Sequence, residues 1–508
     1  MNRRALLEAA LGILLCFLGY LLAHRESYEM HTVLATAGGC QMATDIYEPR
    51  SGPPLGSVVL FHGLAANKKV MSFNAQEFAN QDLRVFVPDL PGHGRTPGPY
   101  SADRDDSCAL ALVRDLASRK AIIRERTLLA GHSLGGAIAI RVAAQFPVAG
   151  VIALSPAPMR VAPGFSPEMI PFHDVPALPP HSLVLGGQWE PGPITSLAQQ
   201  LVGPVTSTLP APASSSKYQM IPRTTHVSIL FSQATFRELR AWTSGILGTS
   251  RDAPLPRNMP ALGCILGTVG LSLLVPPFLR EMNSAAGPAP DGRPSVPSFA
   301  KGLPVAMVAA FAAALLLASP VIPIRFVGVL NGDYLALFLF LTGLLVLAVC
   351  HKSVPAWQRL LAPVLASVAA RALVLVLLFA GWFELTFYEA WPTTARLIRF
   401  PLLLFLLLPW HLAEEILIGP PVSSFDLRRL GKSFALRFLV YLALFSGILY
   451  LHSGAILLFL LVGYFVVFSL LQRLASDLVR FRTQSSAAAA IFGAILLAAF
   501  ALVIFPVA

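Results

Sequence analysis

The spacing of apolar residues divides the chain at about residue 260. Before that point, short apolar runs alternate with helical stretches. Residues 32–38 and 40–47 are β-prone runs around Gly38-Gly39, a hairpin pattern. Strands are expected at 57–61, 83–87, 126–130, 148–154, 182–185 and 217–221, and helices at 67–80, 104–119, 134–146 and 227–247. This alternation predicts an α/β class with a mostly parallel sheet and helices on both faces. Beyond residue 260 the pattern changes to long apolar stretches near 261–279, 303–323, 334–350, 372–390, 400–418, 434–451, 455–472 and 486–506. Each is long enough, or nearly so, to cross about 30 Å of hydrocarbon as a helix. A further apolar run, 5–23, follows Asn2-Arg3-Arg4. It has the length of a bilayer span and lacks a clear A-x-A site, so it reads as an uncleaved anchor, with a signal peptide as the alternative. The expected division is an anchor or signal peptide at 1–24, a globular domain at 25–247, a Pro-rich linker at 248–260 and an all-α membrane domain of about eight helices at 261–508.

Composition supports this division. Of 508 residues, 55% are hydrophobic and 13% charged, against about 25% charged in a soluble domain. The net charge of +11 does not read as nucleic-acid binding, because no basic face or stripe carries it. The cations instead fall between apolar stretches. One set of connections holds Arg280, Arg293 and Lys301, then Lys352 and Arg359, then Arg428, Arg429, Lys432 and Arg437, then Arg473, Arg480 and Arg482. The alternate set holds Arg325, then Arg396 and Arg399. The richer set is expected in the cytoplasm, which places 24–260 on the far side; Arg3-Arg4 gives the same sidedness. Cys40 and Cys108 read as two unrelated small buried residues, able to pair only if the fold brings them together.

Gly131-His132-Ser133-Leu134-Gly135 is a G-x-S-x-G between an expected strand and an expected helix. A serine in that place stands on a sharp turn with its hydroxyl exposed, and the flanking Gly131 and Gly135 let the backbone pass. His62-Gly63-Leu64 follows the 57–61 strand. A loop there supplies the Leu64 N–H to an oxyanion hole, with the Leu134 N–H as the second donor. His93, in Asp89-Leu90-Pro91-Gly92-His93-Gly94, is expected to be structural. His226 lies between the last strand and the last helix, where a general base reaches the serine.

With HGL at 62–64, DLPGHG at 89–94, GHSLGG at 131–136 and THVS at 225–228, residues 32–247 resemble the α/β-hydrolase superfamily, especially its monoacylglycerol-lipase and serine-aminopeptidase-like branch. The resemblance implies a Ser133–His226 pair and a carboxylate after the strand preceding the histidine strand. That place reads Gly187-Gln188-Trp189-Glu190, so the acid is Glu190 where the family pattern has Asp, with Asp174 as the alternative. Fewer than thirty residues separate Leu154 from Ser182, leaving room for a short flap. Its Met159, Val161, Phe165, Met169, Ile170 and Phe172 either rim an open mouth or pack the core. The implied activity is a membrane-bound esterase or lipase acting on a lipid or other acyl ester, without metal or cofactor. A peptidase or acyltransferase on the same fold remains open, as does a transporter or lipid sensor with a regulatory hydrolase domain. In the apolar half, Arg371, Glu384, His411, Glu414 and Glu415 are the charges to explain. Arg371 is a candidate partner for Glu414 and Glu415, and the reading is a structural pair.

Overall fold

The structure, a computed structural model, describes residues 3–24, 28–49, 52–159, 173–202, 216–250, 252, 254–280, 299–319, 326–354, 364–451, 455 and 457–508. Helix α1 (Arg3–Ala23) precedes an eight-stranded sheet. The strands are β1 (Met30–Ala37), β2 (Cys40–Tyr47), β3 (Gly56–Phe61), β4 (Leu83–Pro88), β5 (Thr127–His132), β6 (Gly150–Leu154), β7 (Ser182–Gly187) and β8 (Lys217–Ile221). Their spatial order is β1-β2-β4-β3-β5-β6-β7-β8. β1, β2 and β4 pair antiparallel, and every pairing from β4 through β8 is parallel. The β1–β2 turn requires left-handed backbone at Gly38 (φ +54°) and Gly39 (φ +76°), which is why glycines stand there.

The parallel strands are buried along their whole length from β3 to β7, as both-faces-covered strands must be. Helices α2 (Ser72–Ala79) and α6 (Gln233–Leu247) pack one face, and α3 (Ala102–Ser118) and α4 (Leu134–Gln145) the other. α3 starts where Ser101 accepts a hydrogen bond from the Arg104 N–H. Helix α5 (Gly192–Val202) is an element the sequence pattern did not announce. Cys40 of β2 and Cys108 of α3 form a disulfide with Cα atoms 5.6 Å apart, correcting the reading of two unrelated residues. The β-hairpin lays Cys40 over α3, a placement that spacing alone does not give.

The second half is helical: α7 (Met259–Arg280), α8 (Phe299–Leu317), α9 (Gly332–Val349), α10 (Val364–Thr386), α11 (Thr394–Leu397), α12 (Phe400–Ile418), α13 (Leu427–Tyr450), α14 (Leu457–Leu460), α15 (Val462–Thr483) and α16 (Ser486–Ile504). Among the described residues, nine helices, α1 included, are long and apolar enough to cross a membrane. α1 lies along α7 so closely that side chains added at Gly12 or Gly19 would meet α7 backbone, and additions at Gly263 or Gly270 would meet α1 backbone. Glu8 and Arg280 close this pair with a 2.9 Å ion pair.

Several helices depart from expectation, α13 beginning seven residues before the expected 434. α10 begins eight residues before the expected 372, because Arg371 is accommodated within it, reaching Ser367 one turn back. α15 runs on to Thr483 instead of ending at 472, because its arginines are neutralised inside the bundle. Glu414 takes Arg437 in a fork at 2.7 and 2.9 Å. Glu415 takes Arg429 and Arg473, each at 2.5 Å. Asp477 joins the same arginines. The partners of Glu414 and Glu415 are therefore on α13 and α15; the expected pairing with Arg371 is not made.

Three connections of the bundle reach the sheet domain, beside Glu384 at the end of α10 and the start of α7. These are 326–331 before α9, 387–393 after α10, and 505–508 after α16. Val507 N–H donates to the Gly92 carbonyl at 2.9 Å, and Tyr100 N–H to the Val507 carbonyl at 2.7 Å. Leu330 enters the core on the α3–α4 face of the sheet. All three segments belong to the connections that charge counting assigned to the same side as residues 24–260.

Removing one member of a buried ion pair strands the other in an apolar interior, typically costing about 3–5 kcal/mol. Glu415→Ala should therefore lower the thermal midpoint of the detergent-solubilised protein far more than Arg371→Ala. Equal midpoints for the two variants would contradict the assigned partners.

Candidate active site

β5 ends at His132 and α4 begins at Leu134, which leaves Ser133 alone at the corner with φ 53° and ψ −119°. Its N–H donates to the Leu154 carbonyl of β6 at 2.9 Å, fixing the corner to the sheet. A Cβ at Gly131 would collide with the Gly135 backbone, and one at Gly135 with the carbonyls of Phe61 and His62. The glycines thus allow α4 to start directly against β3. A strained non-glycine residue needs surroundings that hold it, and these close backbone contacts do so.

Ser133 Oγ lies 2.9 Å from His226 Nε2 and 3.2 Å from the Ala157 carbonyl, so its one proton has two acceptors within reach. His226 Nδ1 lies 3.2 Å from Oε1 of Glu190. Glu190 is held by a turn after β7 in which its N–H donates to the Gly187 carbonyl at 3.2 Å. Its side chain is 1% exposed. The structure brings Glu190, not the exposed Asp174, to His226. The imidazole loop is also pinned from below, where His132 Nε2 donates to the His226 carbonyl at 2.7 Å.

Gly63 abuts the serine corner: a Cβ there would stand 2.9 Å from His132 Nδ1 and 3.1 Å from Ser133 Cβ. Leu64 follows it, and among the described residues its N–H meets no backbone acceptor. Leu134 is the first residue of α4, where an N–H has no intrahelical acceptor. The helix N-terminus adds its partial positive charge at the same point.

Three histidines near the serine are structural pins. His62 donates from Nδ1 to the Gly63 carbonyl at 2.8 Å and accepts the Leu90 N–H at 2.9 Å. Burial pushes its pKa down to about 4, so it stays neutral. Burial pushes His132 down to about 3. His93 is held at the Pro91 carbonyl at 3.0 Å and is likewise lowered by burial. The role of His132 is legible only in the fold, since His226 is far from it in sequence.

The segment after β6 leaves and returns beside the site. Met159 is buried in the core, and Val175 N–H donates to its carbonyl at 2.9 Å. Val161, Phe165, Met169, Ile170 and Phe172 lie outside the described residues. His173, at the returning end, is held by Asp106 at 2.6 Å and Asp103 at 2.9 Å. Among the described residues, no group of three or more His, Cys, Asp or Glu side chains is placed to hold a metal ion. His411 lies 3.7 Å from Glu414 within the arginine-paired cluster of the bundle.

Residues 58–290 match the model of the alpha/beta hydrolase family. The chain is 31% identical to Lipase LipV of Mycobacterium tuberculosis over 121 residues, 23% of this chain and 43% of that one. It is 31% identical to a monoacylglycerol lipase of Mycolicibacterium smegmatis over 139 residues, 27% of this chain and 49% of that one. It is 31% identical to a monoglyceride lipase of Rattus norvegicus over 130 residues, 24% of this chain and 42% of that one. The chain thus spans less than half the length of these relatives. By sheet order, motif placement and the family-model match, the globular part of this chain has the α/β-hydrolase fold, and a bundle of apolar helices follows it.

Proposed function

We propose that this protein is a membrane-bound serine hydrolase that cleaves an acyl ester through a covalent acyl-enzyme. The observation that carries the reading is the hydrogen-bonded series Ser133 Oγ–His226 Nε2 and His226 Nδ1–Glu190 Oε1, set at the turn into α4. Ser133 Oγ attacks the carbonyl carbon while its proton passes to His226 Nε2. The carbonyl electron pair moves to oxygen, where the N–H groups of Leu64 and Leu134 receive it. The tetrahedral adduct expels the alkoxide, which leaves with the proton from His226. Water then repeats the sequence on the acyl-serine and regenerates the hydroxyl. Glu190 holds the imidazole in the tautomer with Nδ1 protonated and stabilises its charged form.

The substrate assigned is a lipid or lipid-linked ester. Leu64 packs both on the sheet domain's core and on the core of the helix bundle, so the reacting groups lie where the two halves meet. The names of the relatives, lipase and monoacylglycerol lipase, agree with an acyl ester. The division at 1–24, 25–247, 248–260 and 261–508 goes with this reading, as does a hydrolase domain outside the cytoplasm. A disulfide joining Cys40 and Cys108 suits an oxidising compartment.

A fluorophosphonate probe should label the wild type and leave Ser133→Ala unlabelled. Ser133→Ala or His226→Ala should also lower short-chain ester turnover by several orders of magnitude. Labelling of Ser133→Ala at the wild-type rate would overturn the reading.

Glu190→Gln should keep the fold and reduce kcat by roughly 10²–10⁴, as wrong-tautomer substitutions do. Asp174→Asn should leave kcat within about twofold. The reverse ranking would move the acid to Asp174.

Sidedness is read with single cysteines in a background lacking Cys16, Cys264 and Cys350. Ser250→Cys should react with a membrane-impermeant thiol reagent in intact cells, and Pro290→Cys only after lysis. The opposite pattern would put the hydrolase domain in the cytoplasm.

A further inference from the structure

The turn that carries Leu64 is held from both halves of the molecule. On the sheet side, Lys68 N–H donates to Asp89 Oδ1 at 2.8 Å, and Asn67 Oδ1 accepts the Lys69 N–H at 3.1 Å. Ala65 sits in left-handed backbone at φ 59°, which a residue with a Cβ adopts only under constraint. Part of the constraint is the Ala66 N–H donating to the Gly63 carbonyl at 3.1 Å, and part comes from the bundle. Tyr388, in the connection after α10, donates its hydroxyl proton to the Ala65 carbonyl at 2.9 Å. Its neighbour Glu389 pairs with Lys68, whose ammonium also meets Asp89 Oδ2 at 2.9 Å. Lys68 is 1% exposed, so this three-way contact is buried. Lys69 pairs with Glu384 at 3.1 Å, and Arg95 with the same carboxylate at 2.5 Å. Lys68, Lys69 and Arg95 on the sheet side thus face Asp89, Glu384 and Glu389, and two of these three acids belong to the bundle.

We propose that the 387–393 connection, through Tyr388 and Glu389, is a positioning element for the oxyanion hole, fixing the Leu64 N–H by holding the turn at Ala65 and Lys68. The inference rests on the serine-hydrolase reading and deepens it. Under it, the helix bundle is part of the catalytic apparatus. Tyr388 and Glu389 touch no reacting atom; they act through the turn. An oxyanion donor is effective only when it is in place before charge develops on the substrate oxygen. A peptide unit whose carbonyl is tied cannot swing, and the Tyr388 bond ties the Ala65–Ala66 unit, two units on from the Gly63–Leu64 unit that carries the donor.

The test uses the full-length protein in detergent, with active sites counted by fluorophosphonate titration. Tyr388→Phe removes one hydroxyl. It should lower kcat per titrated site by roughly tenfold with KM little changed, since a displaced donor forfeits part of the 10²–10³ that one oxyanion donor supplies. The inhibition constant of a trifluoromethyl ketone, whose hemiketal oxygen occupies the oxyanion hole, should rise by the same factor. Hydrogen exchange in the peptide covering 62–69 should accelerate. Glu389→Gln should act in the same direction. A merely structural role would reduce the number of titrated sites and leave both kcat per site and the inhibition constant unmoved. That result, or Tyr388→Phe within twofold of wild type on both measures, would overturn the proposal. Ser133→Ala in the same assay keeps the two readings apart. If it is dead while Tyr388→Phe is unaffected, only the positioning role falls. If it turns over like wild type, the serine-hydrolase reading falls and this inference falls with it.

Discussion

Lys68 cannot sit where it does unless both halves of the chain are present. An ammonium group removed from water requires compensating charge, or it must give up its proton. Here the compensation comes from Asp89 at the end of β4 and from Glu389 between two apolar helices. The turn after β3 is therefore fitted to the bundle as much as to the sheet. The same rule operates within the bundle, where four arginines and three acids gather on α12, α13 and α15. In both places the charges bring chain segments together across an otherwise apolar contact.

The sheet and the serine corner were legible because they depend on local pattern. Apolar runs of five or six residues between turn signals mark buried strands, and glycines two positions either side of Ser133 mark the corner. Glu190 was singled out through the family resemblance, and the fold sets it beside His226. What remained hidden depends on contacts distant in sequence. Cys40 and Cys108 are brought together by hairpin placement. His132 reaches the His226 backbone only once β5 and the loop after β8 are side by side. The continuation of α15 past Gln472 was hidden because Arg473 and Arg480 look like the end of a span until Glu415 is placed opposite them.

Arg429, Arg437 and Arg473 are neutralised by buried acids, so they speak less clearly for the cytoplasm than loop cations do. Arg428 and Lys432 remain exposed at the start of α13 and keep their weight. The contacts of the sheet domain add an argument of another kind. Segments 326–331, 387–393 and 505–508 all reach it, and an alternating path through the bundle brings these three to one end.

The close seat of α1 on α7 has a consequence for how the molecule is made. In α1 the glycine face is finished within the first two dozen residues, but its partner face begins at Met259. More than two hundred residues, including the entire sheet, are synthesised in between. During that interval the contact surface of α1 lacks its partner helix, and Glu8 waits for Arg280 at the far end of that partner. The α1–α7 contact can therefore close only after the whole sheet domain between them has been made.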